Sequence, residues 1–145
     1  MHILFHPLKQ TVHRSVLVAL LALVAVAGCG FEVQQPDLFL LTRSGSGPKL
    51  TMLVNSGGTM TCNGSHYKAV PDEQLLEARK LSGELGADAR RHLHISPAPN
   101  SVYDYTVKVQ GGTIAFPDTA TRTHPLLAQL VLLALQLEQN PCHLG

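Results

Sequence analysis

The sequence predicts an α+β domain, a small antiparallel sheet of about five strands covered on one face by two helices and preceded by a helical signal peptide. Three observations carry this. Short apolar runs are separated by tight Gly- and Asn-containing turns. One run alternates strictly, with Tyr103, Tyr105, Val107 and Val109 against Val102, Asp104, Thr106 and Lys108; period two puts the two sets on opposite faces of a strand. A leucine-rich run after Pro125 is apolar nearly all round, as in a helix buried on more than one side.

Residues 37–43 form a first strand, apolar enough to lie inside a sheet, and Ser44-Gly45-Ser46-Gly47-Pro48 follows as a loop. Residues 49–55 form a second strand with Leu50, Met52 and Val54 on one face. Ser56-Gly57-Gly58 turns the chain into residues 59–63, where Met60 and Cys62 share a face. Asn63-Gly64-Ser65 has the form of a glycosylation sequon and is read as a turn.

Residues 71–85 form a helix. Pro71 suits its first turn, and Asp72 and Glu73 suit its electropositive start. Leu75, Ala78, Leu81 and Leu85 make a narrow apolar stripe, Glu73, Glu77 and Lys80 face water, and Gly86 ends the run. Residues 86–100 are an irregular connector, long enough to be a functional or mobile loop. Residues 101–109 are the alternating strand, Gln110-Gly111-Gly112 is a hairpin turn, and residues 113–116 return. The last helix starts at His124-Pro125, runs to Gln139 and stops at Asn140-Pro141. Tight turns make antiparallel pairs, and the apolar face of such a sheet needs a cover, which two helices supply.

The N-terminal segment belongs to targeting rather than to the fold. Residues 16–27 are an unbroken apolar run of twelve, preceded by Lys9 and Arg14. Twelve residues match a secretory apolar region and fall short of the ~20 needed to span a bilayer. The run ends in Val26-Ala27-Gly28-Cys29, which resembles the lipobox of bacterial lipoprotein precursors, with Val26 where leucine is most usual. The resemblance covers residues 1–29. It implies that the Cys29 thiol receives a diacylglyceryl group, that the chain is cut before it, and that Cys29 becomes the first residue. The expected organisation is a signal peptide over 1–28, a short tether over 29–36 and one domain over 37–145. A tether so short keeps the domain close to the bilayer.

Composition limits the function classes. Without residues 1–28 the chain has 117 residues, enough for one small domain. Removing Lys9 and Arg14 leaves nine basic side chains against ten acidic ones, a formal charge of −1. That balance offers no electrostatic footprint for nucleic acid, and no basic patch for anionic lipid, so a covalent lipid must be the anchor. With Cys29 acylated, Cys62 and Cys142 remain. An oxidising compartment makes them a disulfide, and no C-x-x-C spacing argues for a metal instead.

No catalytic constellation emerges. His92 and His94 would share a face of an extended segment, but no third ligand is nearby and Arg90 and Arg91 oppose a cation, so solvated loop histidines are expected. His66, His124 and His143 are scattered. The 44–47 segment lacks the strand–turn–helix setting of a nucleophile elbow. Asp104 and Asp118 could approach across the last hairpin, with Asp104 solvated on the face away from the tyrosines. No glycine-rich phosphate cradle follows a strand. The expectation is therefore no enzyme, no cofactor and no metal. Core burial is expected for the last helix, and Leu132 and Leu135 are the residues that incomplete burial would leave as a partner groove, a dimer face or a lipid contact.

The second half of the chain carries a weaker resemblance. Tyr103-Asp104-Tyr105-Thr106-Val107, Gly111-Gly112, Asp118 and Pro125-Leu126-Leu127-Ala128-Gln129-Leu130 look like the C-terminal pattern of emfourin-type inhibitors of thermolysin-like metalloproteases. The likeness implies an α+β layout of hairpins and two helices, and it transfers no inhibitory residue. The expected function is a lipid-anchored binding or interaction module outside the cytoplasm. It would meet a protein partner through the 86–100 loop or the last helix. A protease inhibitor of emfourin type is the alternative, and an enzyme with an unrecognised site is a third.

Overall fold

The computed structural model describes residues 36–144. The expected signal peptide and Cys29 lie outside the described residues. Six strands form one antiparallel sheet in the order β4-β3-β2-β1-β5-β6. They are β1 (Asp37–Gly45), β2 (Leu50–Asn55), β3 (Thr59–Cys62), β4 (Lys68–Ala69), β5 (Tyr103–Val109) and β6 (Gly112–Pro117). The helices are α1 (Asp72–Glu84), α2 (Gly86–Arg90) and α3 (Pro125–Gln139), with a 3₁₀ turn at Asp118–Arg122 before α3.

Alternation decides which sheet face is covered. Phe39 and Leu41 of β1, Leu50, Met52 and Val54 of β2, Met60 and Cys62 of β3, Tyr105, Val107 and Val109 of β5, and Ile114 and Phe116 of β6 are all buried. From the helices come Ala78, Leu81, Leu85 and Ala89, then Leu127, Leu130, Leu133, Ala134 and Leu137. Sheet and helices thus enclose a single core between them. The other sheet face carries exposed Thr51, Asp104, Thr106 and Lys108 and half-buried Leu40 and Leu53. Such a one-sided sheet gives the apolar-in, polar-out alternation seen in its strands.

The turns follow from side-chain chemistry. The Asn55 carboxamide oxygen accepts from the N–H of Gly57 (3.0 Å) and of Thr59 (3.1 Å), which closes the β2–β3 hairpin. Gly58 in that turn has φ +84°, the left-handed region that glycine enters without steric cost. The sequon segment is a turn: Ser65 N–H donates to the Cys62 carbonyl, and the Asn63 side chain accepts from Thr51 N–H at 2.7 Å. Before α3, the Asp118 carboxylate accepts from the N–H of Val102 and of Thr119, which ties the start of β5 to the turn.

The structure corrects the sequence reading at four places. The sheet has six strands, because Lys68–Ala69 pairs with β3 as a two-residue edge too short to show a pattern. β1 continues through Ser44 to Gly45, into the segment expected to be a loop, because β5 supplies partners up to Tyr103. Gly86 does not end the helical path: Leu85 keeps right-handed helical angles, and α2 follows directly. Finally, the 86–100 connector is not a free loop. Ile95 N–H donates to the Ala115 carbonyl (2.9 Å) and Ala115 N–H to the Leu93 carbonyl (3.0 Å). The segment thus covers the outer edge of β6 at a parallel bridge between His94 and Ala115, shielding an otherwise open sheet edge.

Candidate functional site

Two features of the described residues exceed core packing: a buried ionic centre and a groove along the helices. The ionic centre begins with parity. Position 43 faces inward after Phe39 and Leu41, so an arginine points into the core side of the sheet, where it is 6% exposed. Its guanidinium meets Glu138 in two parallel 2.8 Å bonds, Nη1 to Oε2 and Nη2 to Oε1. Nε donates to the Pro48 carbonyl at 3.0 Å, and the guanidinium lies 5.0 Å from the centroid of the Tyr103 ring. Planar bidentate pairing of this kind needs arginine, which lysine cannot imitate.

The electrostatics agree with the geometry. Hydrogen bonding to Glu138 holds the Arg43 pKa above its ordinary value, against the opposing effect of burial. Burial raises the pKa of the neighbouring Tyr105 hydroxyl, and the charge of Arg43 offsets part of that rise. Tyr105 also stacks on Phe116, with ring centroids 5.3 Å apart. Among the described residues, no buried side-chain nitrogen or oxygen lacks a hydrogen-bond partner. Every charge in this centre is therefore occupied internally, and the centre fastens α3 to β1 rather than facing a ligand.

A second tie holds the same end of α3. Cys62 of β3 and Cys142 form a disulfide, with Cα atoms 5.9 Å apart, inside the range that a bridge requires. Both cysteines are buried. The pairing is the one expected from the cysteine count.

The groove runs between α1 and α3 on the side away from the sheet. It has a volume of about 450 Å³, with Leu76, Leu132 and Leu133 along it and Glu73, Glu77 and Lys80 on one wall. Gln74, Gln129 and Gln136 complete its lining. Leu76 is 64% exposed, Leu132 57% and Leu135 41%. The expectation of core burial for the last helix therefore fails at Leu132 and Leu135. One face of α3 packs on the sheet and a flank packs on α1, and among the described residues nothing covers the outward leucines. A second hollow, of about 460 Å³, lies on the open sheet face between Pro36, Asp37, Leu40, Leu53 and Lys108.

The other sequence candidates do not converge. His92 closes α2 with φ +51°, so it is not on an extended segment with His94, and both are exposed. Asp104 is exposed on the open face, whereas Asp118 is spent on backbone N–H groups. Among the described residues, no three His, Cys, Asp or Glu side chains are grouped as metal ligands would be, and no helix is long and apolar enough to cross a membrane. Sequence reasoning missed the Arg43–Glu138 pair. Its signal was present: Arg43 falls on the inward parity of β1, and Glu138 is the sole charged residue of α3.

No known protein family, curated protein or solved structure matches this chain.

Proposed function

We propose that this protein is a lipid-anchored, extracytoplasmic binding module of a bacterial cell, held at the membrane by acylated Cys29 and acting without catalysis. The observation that carries this reading is the division of the three cysteines. One stands at the end of an apolar run in Val26-Ala27-Gly28-Cys29, and the other two are joined as Cys62–Cys142. Disulfides persist in oxidising compartments, and a thiol left unpaired there needs another fate. Acylation supplies that fate. Two or three acyl chains, at ~0.8 kcal/mol per buried methylene, hold a protein stably where one chain does not.

The helix groove is the binding surface of this reading. It brings two exposed leucines, Leu76 and Leu132, together along one hollow although the core is closed. The 86–100 segment is the weaker of the two surfaces expected from sequence, since its central backbone is engaged by β6. The test is fractionation of cells producing the intact chain, compared with Cys29→Ala. The wild type partitions with membranes and incorporates labelled fatty acid, and the variant is released without label. An unlabelled wild type found in the soluble fraction overturns the reading.

The emfourin-type reading rests on the second-half likeness and is supported by the uncovered sheet face, which leaves an apolar hollow beside Leu40 and Leu53 for a target. Titration against secreted thermolysin-like proteases decides it. Stoichiometric inhibition favours this reading, and full residual activity at saturating protein removes it.

A further inference from the structure

We propose that the Asn63–Gly64 turn is a latent site of spontaneous deamidation, latched against β2 in the folded chain and reached when the turn opens locally. The argument starts from neighbours in the chain. Of four asparagines, Asn63 alone is followed by glycine; Asn55 and Asn100 precede serine, and Asn140 precedes proline. A glycine nitrogen has no Cβ beside it to hinder its attack on the preceding side chain. A proline nitrogen has no proton to give up.

The step closes in atoms. The Gly64 nitrogen adds to Cγ of Asn63, and a new C–N bond forms. The bond from Cγ to the side-chain nitrogen breaks, and ammonia leaves with the proton that Gly64 gives up. Water then opens the cyclic imide at either carbonyl. Opening at the former side-chain carbonyl leaves aspartate at position 63. Opening at the main-chain carbonyl leaves isoaspartate, whose backbone runs through the former side chain and is longer by a carbon.

The turn supplies part of what this step needs and withholds the rest. Asn63, Gly64 and Ser65 are exposed, so water has access. Among the described residues the Gly64 N–H makes no hydrogen bond, and nothing lies within 4 Å of the place where a Cβ would stand on Gly64. The nucleophile is therefore open, but the electrophile is fixed. Asn63 Oδ1 accepts from Thr51 N–H at 2.7 Å, and Asn63 N–H donates to the Thr51 carbonyl at 2.7 Å. Ser65 N–H donates to the Cys62 carbonyl at 2.9 Å, and Cys62 N–H donates to Ser65 Oγ at 3.1 Å. Asn63 at φ +50° and Gly64 at φ +74° make the turn left-handed. Cγ is thus held towards β2, whereas ring closure needs it swung over the following nitrogen. The bonds to Thr51 must open first. The turn lies at the end of β3, a strand of four residues, and such local opening costs less than unfolding the domain. The products then diverge. Aspartate keeps the bond from Thr51 in a charge-assisted form. Isoaspartate lengthens the path from Cys62 to Ser65, so the two bonds across it cannot both persist.

Peptide mapping by mass spectrometry tests this on the purified full chain in a neutral detergent at mildly alkaline pH. In urea-unfolded chain, Asn63 is expected to deamidate at least about tenfold faster than Asn55 or Asn100, because its attacking nitrogen belongs to glycine. Folding is expected to slow Asn63 about tenfold or more, the turn being closed most of the time. Urea below the unfolding transition changes the folded rate by less than about twofold, since local opening exposes little surface. Ser65→Ala, which removes the acceptor of Cys62 N–H, speeds the folded chain about threefold and leaves the denaturation midpoint nearly unchanged. An Asn63 no faster than Asn55 in urea overturns the site. Equal rates in folded and unfolded chains overturn the latch. A folded rate that climbs with urea as global unfolding does, or that Ser65→Ala leaves unmoved, overturns the local opening.

Discussion

Removing the carboxylate of Glu138 is the most informative single perturbation of this fold. In Glu138→Gln the Arg43 guanidinium keeps its bond to the Pro48 carbonyl and its place over Tyr103, but loses its one charged partner while 6% exposed. Breaking a buried ion pair by removing one partner costs about 3–5 kcal/mol, because an uncompensated charge stays behind. Glu138 is 13% exposed, and a carboxamide still accepts one hydrogen bond, so the lower end, about 3 kcal/mol, applies here. A domain of this size has only about 5–15 kcal/mol in total. At 4–8 °C per kcal/mol for a domain near 100 residues, the melting temperature falls by roughly 12–24 °C. The companion variant Arg43→Met, Glu138→Leu removes both charges and fills the site with apolar atoms. It is expected to lie within about 1.5 kcal/mol of wild type, or above it, as apolar replacements of buried ion pairs do. Urea titration followed by far-ultraviolet circular dichroism measures both, with the slope of the transition held as a check that the unfolded state is unchanged. A loss below about 1 kcal/mol for Glu138→Gln, as exposed pairs give, refutes the reasoning. A double variant as unstable as the single one does the same.

Three further outcomes follow from the structure. Reducing the Cys62–Cys142 bridge, or replacing both cysteines with serine, frees a loop with a sequence separation of 80 and is expected to cost about 4 kcal/mol in the chain-entropy account, read as a lower denaturation midpoint. Gly45→Ala is expected to cost about 2–3 kcal/mol in the same assay. Gly45 has φ +120°, and an added Cβ would run into the carbonyl oxygen of Val102, the residue just before β5. Alkaline pH is expected to erode stability through Tyr105, whose folded-state pKa is raised by burial above the usual value near 10. A phenol held neutral in the folded state binds its proton more tightly there than in the unfolded state. Its contribution is therefore complete below pH ~10 and falls as pH climbs from the unfolded value to the folded one. Melting curves against pH, with Tyr105→Phe lacking that part of the decline, check the sign.

The parts of this fold legible in the sequence are those where burial follows a short period. β5 alternates because one face meets helices and the other meets water, so Tyr105, Val107 and Val109 could be assigned to the core directly. The Cys62–Cys142 pair was legible once the resemblance of Val26-Ala27-Gly28-Cys29 to a lipobox set Cys29 aside, since the two cysteines that remained allowed one pairing. β4 was not, because two residues carry no period and their strand character comes only from β3. The continuation into α2 was hidden by Gly86, whose weak helix preference is overridden by the packing of Leu85 and Ala89 in the core. The ionic centre required a long-range fact, that residues 43 and 138 meet across a sequence distance of 95. The outward leucines of α3 were ambiguous in sequence because a helix apolar all round reads the same whether its last face is covered by its own fold or by another molecule. Leu132 and Leu135 remain exposed, so among the described residues the fold does not cover them.

Mass spectrometry of the mature protein, extracted from membranes, bears most directly on how this domain is held. The account predicts a first residue at position 29, with that residue heavier than cysteine by a diacylglyceryl group and any added acyl chain, and positions 62 and 142 recovered in one disulfide-linked peptide pair. A chain starting elsewhere, or a bare thiol at Cys29, contradicts it.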